Sequence, residues 1–91
     1  MCPTLSEFLD SPDKIVINPA NLAEDRDGNS VHSLDKRAVR FCLIGAMYAM
    51  EMPDQRITDV QIKLLARHVT CSMLVERPYA EIISTLKQIG E

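Results

Sequence analysis

The stretch DRDGNS, residues 25–30, places acidic or amide side chains at every second position, as at the start of an EF-hand calcium loop. Counted from Asp25, that loop needs a glycine at its sixth position and a bidentate glutamate at its twelfth. These positions hold Ser30 and Lys36, so both requirements fail. Because an Asp-Gly pair readily adopts positive φ, the stretch predicts a tight turn and not a calcium site.

Histidines and cysteines are the other candidate metal ligands. His68 and Cys71 are three residues apart, so on one helix they would share a face. However, no Cys-x-x-Cys spacing is present, and Cys2 lies at the start of the chain. The pattern therefore predicts no metal site, and three cysteines without paired spacing favour reduced thiols in a cytoplasm.

Cys42 is the candidate nucleophile, with His32 as its base. It lies inside the apolar run FCLIGAMYAM, residues 41–50, where burial raises the pKa of a thiol and hides its sulfur. The sequence also lacks a glycine-rich phosphate loop, a paired-carboxylate motif and the Ser-His-Asp order. It therefore predicts a protein that is not an enzyme and that holds no cofactor.

Size and charge limit the class of protein further. The 91 residues predict one domain, residues 1–91, and a domain so small is marginal alone, so a homo-oligomer is also considered. A formal net charge of −3 argues against broad electrostatic binding to nucleic acid or to a membrane surface. The longest apolar run is about half a membrane span, and the first residues lack the features of a secretory signal, so we expect a cytoplasmic protein.

Two groups of basic residues could contact a partner. Lys36, Arg37 and Arg40 fall in the first part of a predicted helix, where the helix dipole disfavours cations. We expect them to pair with Asp25 and Asp27 in the preceding turn, and an anionic partner surface is the alternative.

The second group lies on the next predicted helix. Arg56, Lys63 and Arg67 resemble the basic face of a helix-turn-helix protein, but no basic stripe is sustained along the chain. Because arginine and methionine are favoured at protein interfaces, exposed methionines are candidate apolar anchors. The candidate contact residues are Arg37, Arg40, Arg56 and Arg67.

The elements that position these residues are mainly helical. Thr4 and Glu7 have the spacing of a capping box and predict a short N-terminal helix. KIVIN, residues 14–18, predicts a short strand or an extended arm. A β-hairpin or hairpin-like loop is expected over about residues 21–33.

Three longer helices complete the predicted fold. A central helix over about residues 34–52, capped by Ser33, contains the run that is apolar on every side and must be covered all round. Its small residues, Gly45 among them, allow another backbone to approach closely. Thr58 and Gln61 predict the start of a helix over about residues 59–75, and a last amphipathic helix follows over about residues 78–89.

Residues 22–47 resemble a family of small bacterial and phage proteins classed as a domain of unknown function. The family pattern is Ala-x-Asp-x-x-Gly-x-x-Val followed by Ala-Val-Arg-aromatic-Cys-x-x-Gly-Ala. It is matched here by Ala23, Asp25, Gly28, Val31, Ala38, Val39, Arg40, Phe41, Cys42, Gly45 and Ala46. Phe41 stands where tryptophan is frequent in relatives, and the match covers under a third of the chain. The resemblance implies a bacterial or phage source and a turn followed by a buried helix.

These observations predict a small non-enzymatic module that binds another protein. By analogy with small phage-encoded proteins, it is expected to be a phage- or mobile-element-encoded modulator or inhibitor of a host protein. The alternative is a small helical DNA-binding transcriptional regulator.

Overall fold

The computed structural model describes residues 3–18 and 20–91. Those residues form five α-helices, one 3-10 helix and a short antiparallel pair of strands, which confirms the predicted mainly helical class. The elements in chain order are α1 (Leu5–Phe8), the 3-10 helix (Pro12–Lys14), β1 (Ala23–Glu24), β2 (Arg40–Phe41), α2 (Leu43–Ala49), α3 (Asp54–Leu65), α4 (Cys71–Val75) and α5 (Tyr79–Gln88).

The short N-terminal helix begins as its sequence predicts. The side-chain oxygen of Thr4 accepts a hydrogen bond from the backbone N–H of Glu7 at 3.3 Å, which satisfies one of the free donors of the first turn. The chain then turns into the 3-10 helix, which Ser11 caps by accepting from the N–H of Asp13.

The predicted central helix over residues 34–52 is wrong in its first part. Helix α2 spans only Leu43–Ala49, and Arg40–Phe41 before it is a strand. Ser33, the expected cap, is a buried loop residue. Asp35 accepts from the N–H of Arg37 at 2.8 Å, a local bond that offers the backbone an alternative to the helix. The cap of α2 is Cys42, whose Sγ accepts from the N–H of Gly45 at 3.2 Å.

The predicted helix over residues 59–75 is two helices. Helix α3 begins earlier than expected, after Pro53, so Thr58 and Gln61 lie within it and do not open it. The chain leaves the helix at His68, whose φ of 60° lies in the left-handed region. Thr70 then caps α4 by accepting from the N–H of Met73 at 3.2 Å. The last predicted helix, residues 78–89, agrees closely with α5.

The strands form a small sheet beside the start of α2. Ala23 pairs with Phe41 and Glu24 with Arg40, so the main partner of β1 lies outside the expected hairpin range of 21–33. The loop that follows β1 is nevertheless hairpin-like, because Glu24 also forms an isolated antiparallel bridge with Ser30. Of the segment KIVIN, Lys14 ends the 3-10 helix, and residues 15–18 form an arm whose Ile15 meets the sheet through a parallel bridge to Phe41.

The core encloses most of α2, as an all-apolar helix requires. Side chains from α1 to α5 fill it, and each fully buried leucine, isoleucine or methionine contributes roughly 1.5–3 kcal/mol. An edge-to-face contact between Phe8 and Phe41, with ring centroids 5.2 Å apart, joins α1 to β2. The largest fully buried apolar side chains are Leu5, Leu9, Leu43, Met47, Leu64, Leu74, Ile82 and Leu86.

Candidate functional site

The stretch DRDGNS forms a tight turn, as predicted. One carboxylate oxygen of Asp25 accepts from the N–H groups of Asp27 and Asn29, both at 2.9 Å, and the other accepts from the amide of Asn29 at 3.1 Å. Gly28 adopts a φ of 88°, which favours glycine. The hydrogen bonds from Asn29 hold the pKa of Asp25 below its usual value. The Asp25 carboxylate, which would be the first ligand of a calcium loop, therefore stabilises the turn itself.

The expectation that His68 and Cys71 share a helix face is wrong. His68 belongs to the turn after α3, whereas Cys71 is the first residue of α4. Within residues 3–18 and 20–91, no group of three or more His, Cys, Asp or Glu side chains could hold a metal ion.

The basic residues before α2 lie around the turn, but their bonds differ from those predicted. Lys36, Arg37, Asp25 and Asp27 line one cavity of about 320 Å³. The guanidinium of Arg37 forms a two-point contact with Asp35, at 3.0 and 3.2 Å, and thereby lowers the pKa of that carboxyl to about 2. Hydrogen bonds pair Arg37 with Asp35, and with neither carboxylate of the turn.

Arg40 provides the tie between the turn and the following strand. Its Nη1 donates to the backbone carbonyl of Asp25 at 3.0 Å. Its charge also faces Glu24, a carboxylate only 1% exposed that accepts from the N–H groups of Ile17 and Asn18 and from the amide of Asn21. Burial opposes ionisation of Glu24, but these donors outweigh it, so the pKa of Glu24 lies below its usual value.

The side chain of Arg56 holds Pro3 and Glu91 together, and we call this set of contacts the clasp. Its guanidinium donates to both carboxylate oxygens of Glu91, at 2.8 and 3.1 Å, and to the carbonyl of Pro3 at 2.9 Å. The same carboxylate accepts from the N–H of Leu5 at 3.2 Å. With 27% of its side chain exposed, Arg56 is partly buried.

The four candidate arginines do not form one patch. Arg67 lies just beyond the C-terminal end of α3 and bonds to Gln88, whereas Arg56 is the third residue of that helix. Eleven residues at 1.5 Å each separate them by roughly 16 Å along the axis. Arg37 and Arg67 are exposed, and Arg40 and Arg56 are partly buried. That these four arginines contact a partner stays a prediction.

A groove that sequence patterns did not indicate runs beside the start of α2. Two cavities, of about 290 and 250 Å³, share the residues Ile44, Cys71 and Ser72 and so adjoin. We call their combined lining the thiol groove, because it holds both Cys42 and Cys71. Its lining residues are Ala20, Leu22, Cys42, Leu43, Ile44, Gln61, Leu65, Thr70, Cys71 and Ser72.

Apolar side chains stand exposed around the thiol groove. Leu22 is 47% exposed at one of its cavities and Leu65 is 58% exposed at the other. Ile62, one turn before Leu65 on α3, is also 58% exposed and extends the apolar surface. The polar lining residues Gln61 and Thr70 carry no charge. Exposed apolar side chains beside a groove make this surface a candidate interaction site.

Gly45 explains how Leu22 reaches the groove. A Cβ atom at position 45 would lie 1.8 Å from the carbonyl oxygen of Leu22, so only glycine permits this approach. The same carbonyl accepts from the N–H of Cys42 at 3.1 Å. The expected close approach of another backbone at Gly45 is confirmed, and that backbone is residue 22 of the same chain.

The two thiols of the groove are free and differ in exposure. Cys42 is buried, as its apolar surroundings predict, and Cys71 is half-buried. Burial raises the pKa of Cys71 to about 11, and the neighbouring Cys42 adds to the rise. At neutral pH Cys71 is therefore a protonated thiol and a slow nucleophile.

The chain matches no protein-family model, no curated protein and no solved structure. The resemblance of residues 22–47 to a family of small bacterial and phage proteins consequently stays a prediction. Among the helices of the described residues, none has the length and apolar character needed to cross a membrane.

Proposed function

We propose that this chain is a non-enzymatic module that binds another protein through the thiol groove. The observation that carries the proposal is the exposure of Leu22, Ile62 and Leu65, at 47%, 58% and 58%, around a lining of apolar side chains and thiols. Covering these three side chains, each about half exposed, contributes roughly 2–5 kcal/mol, so they act as anchors to which the rest of the groove adds contacts.

The lining also indicates the chemistry of the partner. Its polar members, Gln61, Thr70 and Ser72 among them, are uncharged and can exchange neutral hydrogen bonds. The partner is therefore a protein segment that inserts apolar side chains and presents neutral polar groups at the edge. Binding of this kind depends only weakly on salt, in contrast to contacts made through arginines.

The resemblance to small bacterial and phage proteins suggests the role of this binding. We infer that the module acts as a modulator or inhibitor of the protein that occupies the thiol groove. Arg37 and Arg67, the more exposed candidate arginines, would then supply contacts outside the groove.

The test compares capture by variants that place a charge in or away from the groove. The wild type, Leu65→Asp, Leu22→Asp, Arg37→Glu and the control Ile17→Asp are immobilised and exposed to bacterial lysate with and without nuclease. Ile17 is 76% exposed and is not a groove residue. A protein retained in stoichiometric amount by the wild type and by Ile17→Asp is expected to bind either groove variant at least about tenfold more weakly.

Other outcomes would refute parts of the proposal. Retention that is equal for Leu65→Asp, Leu22→Asp and the wild type would exclude the thiol groove as the contact surface. Loss of retention in an Arg37→Glu variant alone would place the contact at the turn. Retention that nuclease abolishes would favour the DNA-binding alternative. Urea unfolding of each variant verifies that the exposed substitutions leave the fold intact.

A further inference from the structure

The two thiols of the groove lie on elements that pack against each other. Cys42 and Cys71 both line the cavity of about 250 Å³. Cys42 also packs against the buried Val75. Val75 is four residues after Cys71 in α4, so the two share a face of that helix. The face of α4 that carries Cys71 therefore packs onto Cys42.

Each cysteine occupies a defined position at the start of a helix. Cys42 is the cap of α2, and Cys71 is the first residue of α4. The two helices contact each other. The contribution of Cys42 to the raised pKa of Cys71 is consistent with close approach of the sulfurs.

We propose that Cys42 and Cys71 form an intramolecular disulfide when the protein meets a low-molecular-weight disulfide, and that this bond joins α4 to the start of α2 across the floor of the thiol groove. The bond itself stands independently of the proposed function. Because both cysteines line the groove, formation of the bond also fixes the floor against which a partner would dock.

The chemistry proceeds by two thiol–disulfide exchanges. Cys71, the more exposed cysteine, loses its proton and attacks one sulfur of the small disulfide, whose S–S bond breaks and releases one small thiol. The sulfur of Cys42, also deprotonated, then attacks Cys71 and expels the second small thiol. The protein loses two protons and two electrons, and the reagent gains them as two thiols. Because little of Cys71 is thiolate at neutral pH, the first exchange is slow and requires sustained exposure.

The bond would enclose a large part of the fold. The closed loop runs from residue 42 to residue 71 and contains the whole of α3. Cross-linking positions so far apart restricts the unfolded chain, so the oxidised protein should resist urea more strongly than the reduced protein.

The test uses a Cys2→Ser variant, which removes the third cysteine of the chain. The folded variant is incubated with oxidised glutathione at low protein concentration, and its intact mass and disulfide-linked peptides are then measured. The expected result is a monomer lighter by two hydrogens, a peptide pair joined through Cys42 and Cys71, and a higher urea midpoint that returns to the reduced value with dithiothreitol.

Three results would overturn the proposal. These are a stable glutathione adduct on Cys71 without loss to Cys42, an intermolecular dimer, and a folded chain that stays reduced while the urea-unfolded chain is oxidised. Cys42→Ser in the same background is the matched control, because serine keeps a capping oxygen at the start of α2. It should retain the adduct and form no internal bond. These outcomes do not depend on whether a partner protein occupies the groove.

Discussion

Replacing Gly45 with alanine should destabilise this protein, although the same change usually stabilises a helix. Gly45 lies within α2, and its backbone is outside the left-handed region that would require glycine. Helix propensity alone would therefore favour alanine by about 1 kcal/mol. The new Cβ atom, however, would lie 1.8 Å from the carbonyl oxygen of Leu22, a backbone atom that cannot rotate away.

The size of this destabilisation follows from the backbone shift that the new Cβ atom requires at Leu22. An ordinary contact needs a separation of about 3.4 Å, so the backbone at Leu22 must shift by more than an ångström, and such overpacking costs about 1–3 kcal/mol, occasionally more. The shift also disturbs the bond from the N–H of Cys42 to the same carbonyl, worth about 1 kcal/mol. After the gain in propensity, we expect a net loss of about 1–3 kcal/mol, a substantial part of the roughly 5–14 kcal/mol typical of a chain of this length.

Urea unfolding followed by circular dichroism measures this loss directly. A decrease of about 1–3 kcal/mol corresponds to a melting temperature lower by roughly 4–24 °C. Ser84→Ala, at an exposed position of α5, is the control for propensity and should stabilise slightly. A Gly45→Ala protein more stable than the wild type would refute the close crossing of Leu22 over α2.

Two further predictions concern the buried carboxylates. Arg56→Met removes the partner of Glu91, and the side chains of the two residues are only 27% and 10% exposed. We therefore expect the free energy of unfolding in urea to fall by about 2–3 kcal/mol, against less than about 0.5 kcal/mol for Arg67→Met at an exposed position. Equal losses would exclude the clasp. Because the pKa of Glu24 is lowered in the folded protein, its contribution to stability is present above its usual pKa of 4.5 and is lost as pH falls through the folded value. Glu24→Gln should therefore lower the free energy of unfolding at neutral pH by about 2–4 kcal/mol and flatten the decline of that free energy in acid. An unchanged decline in acid would show that other groups govern it.

Local signals in the sequence were sufficient where the structure depends on neighbouring residues. The cap of Thr4, the turn at Asp25 and the amphipathic pattern of α5 each depend on contacts within a few positions. The sequence predicts the place of each of these elements, and the bounds of α5 to within one residue at either end. The buried character of α2 was also predictable, because its apolar residues leave no polar side to face water.

The error over residues 34–42 has a long-range cause. Ser33 and Asp35 have the residue types of a helix start, but residues 40–41 pair with residues 23–24, far away in the sequence. Pairing of this kind is decided by the fold as a whole and overrides local propensity. The break at His68 lacks the glycine that usually marks a helix end, and the local signal there is Thr70, which caps α4.

The thiol groove could not be predicted for a related reason. Its lining comes from four separate stretches, residues 20–22, 42–44, 61–65 and 70–72, and none of them has a pattern that indicates a cavity. The one local signal was Gly45, whose small size permits the crossing that brings Leu22 to the groove.

The clasp at Glu91 bears on the order in which this protein can fold during its synthesis. Helix α1 has only four residues and is too short to persist alone in water. Its partners include the carbonyl and carboxylate oxygens of Glu91, which accept from the N–H groups of Ser6 and Leu5, and the hydroxyl of Tyr79, which donates to the carbonyl of Leu9 at 2.6 Å. Helix α1 therefore acquires these partners only after α5 has left the ribosome. A nascent chain that stops before Tyr79 should therefore leave α1 exposed to proteases.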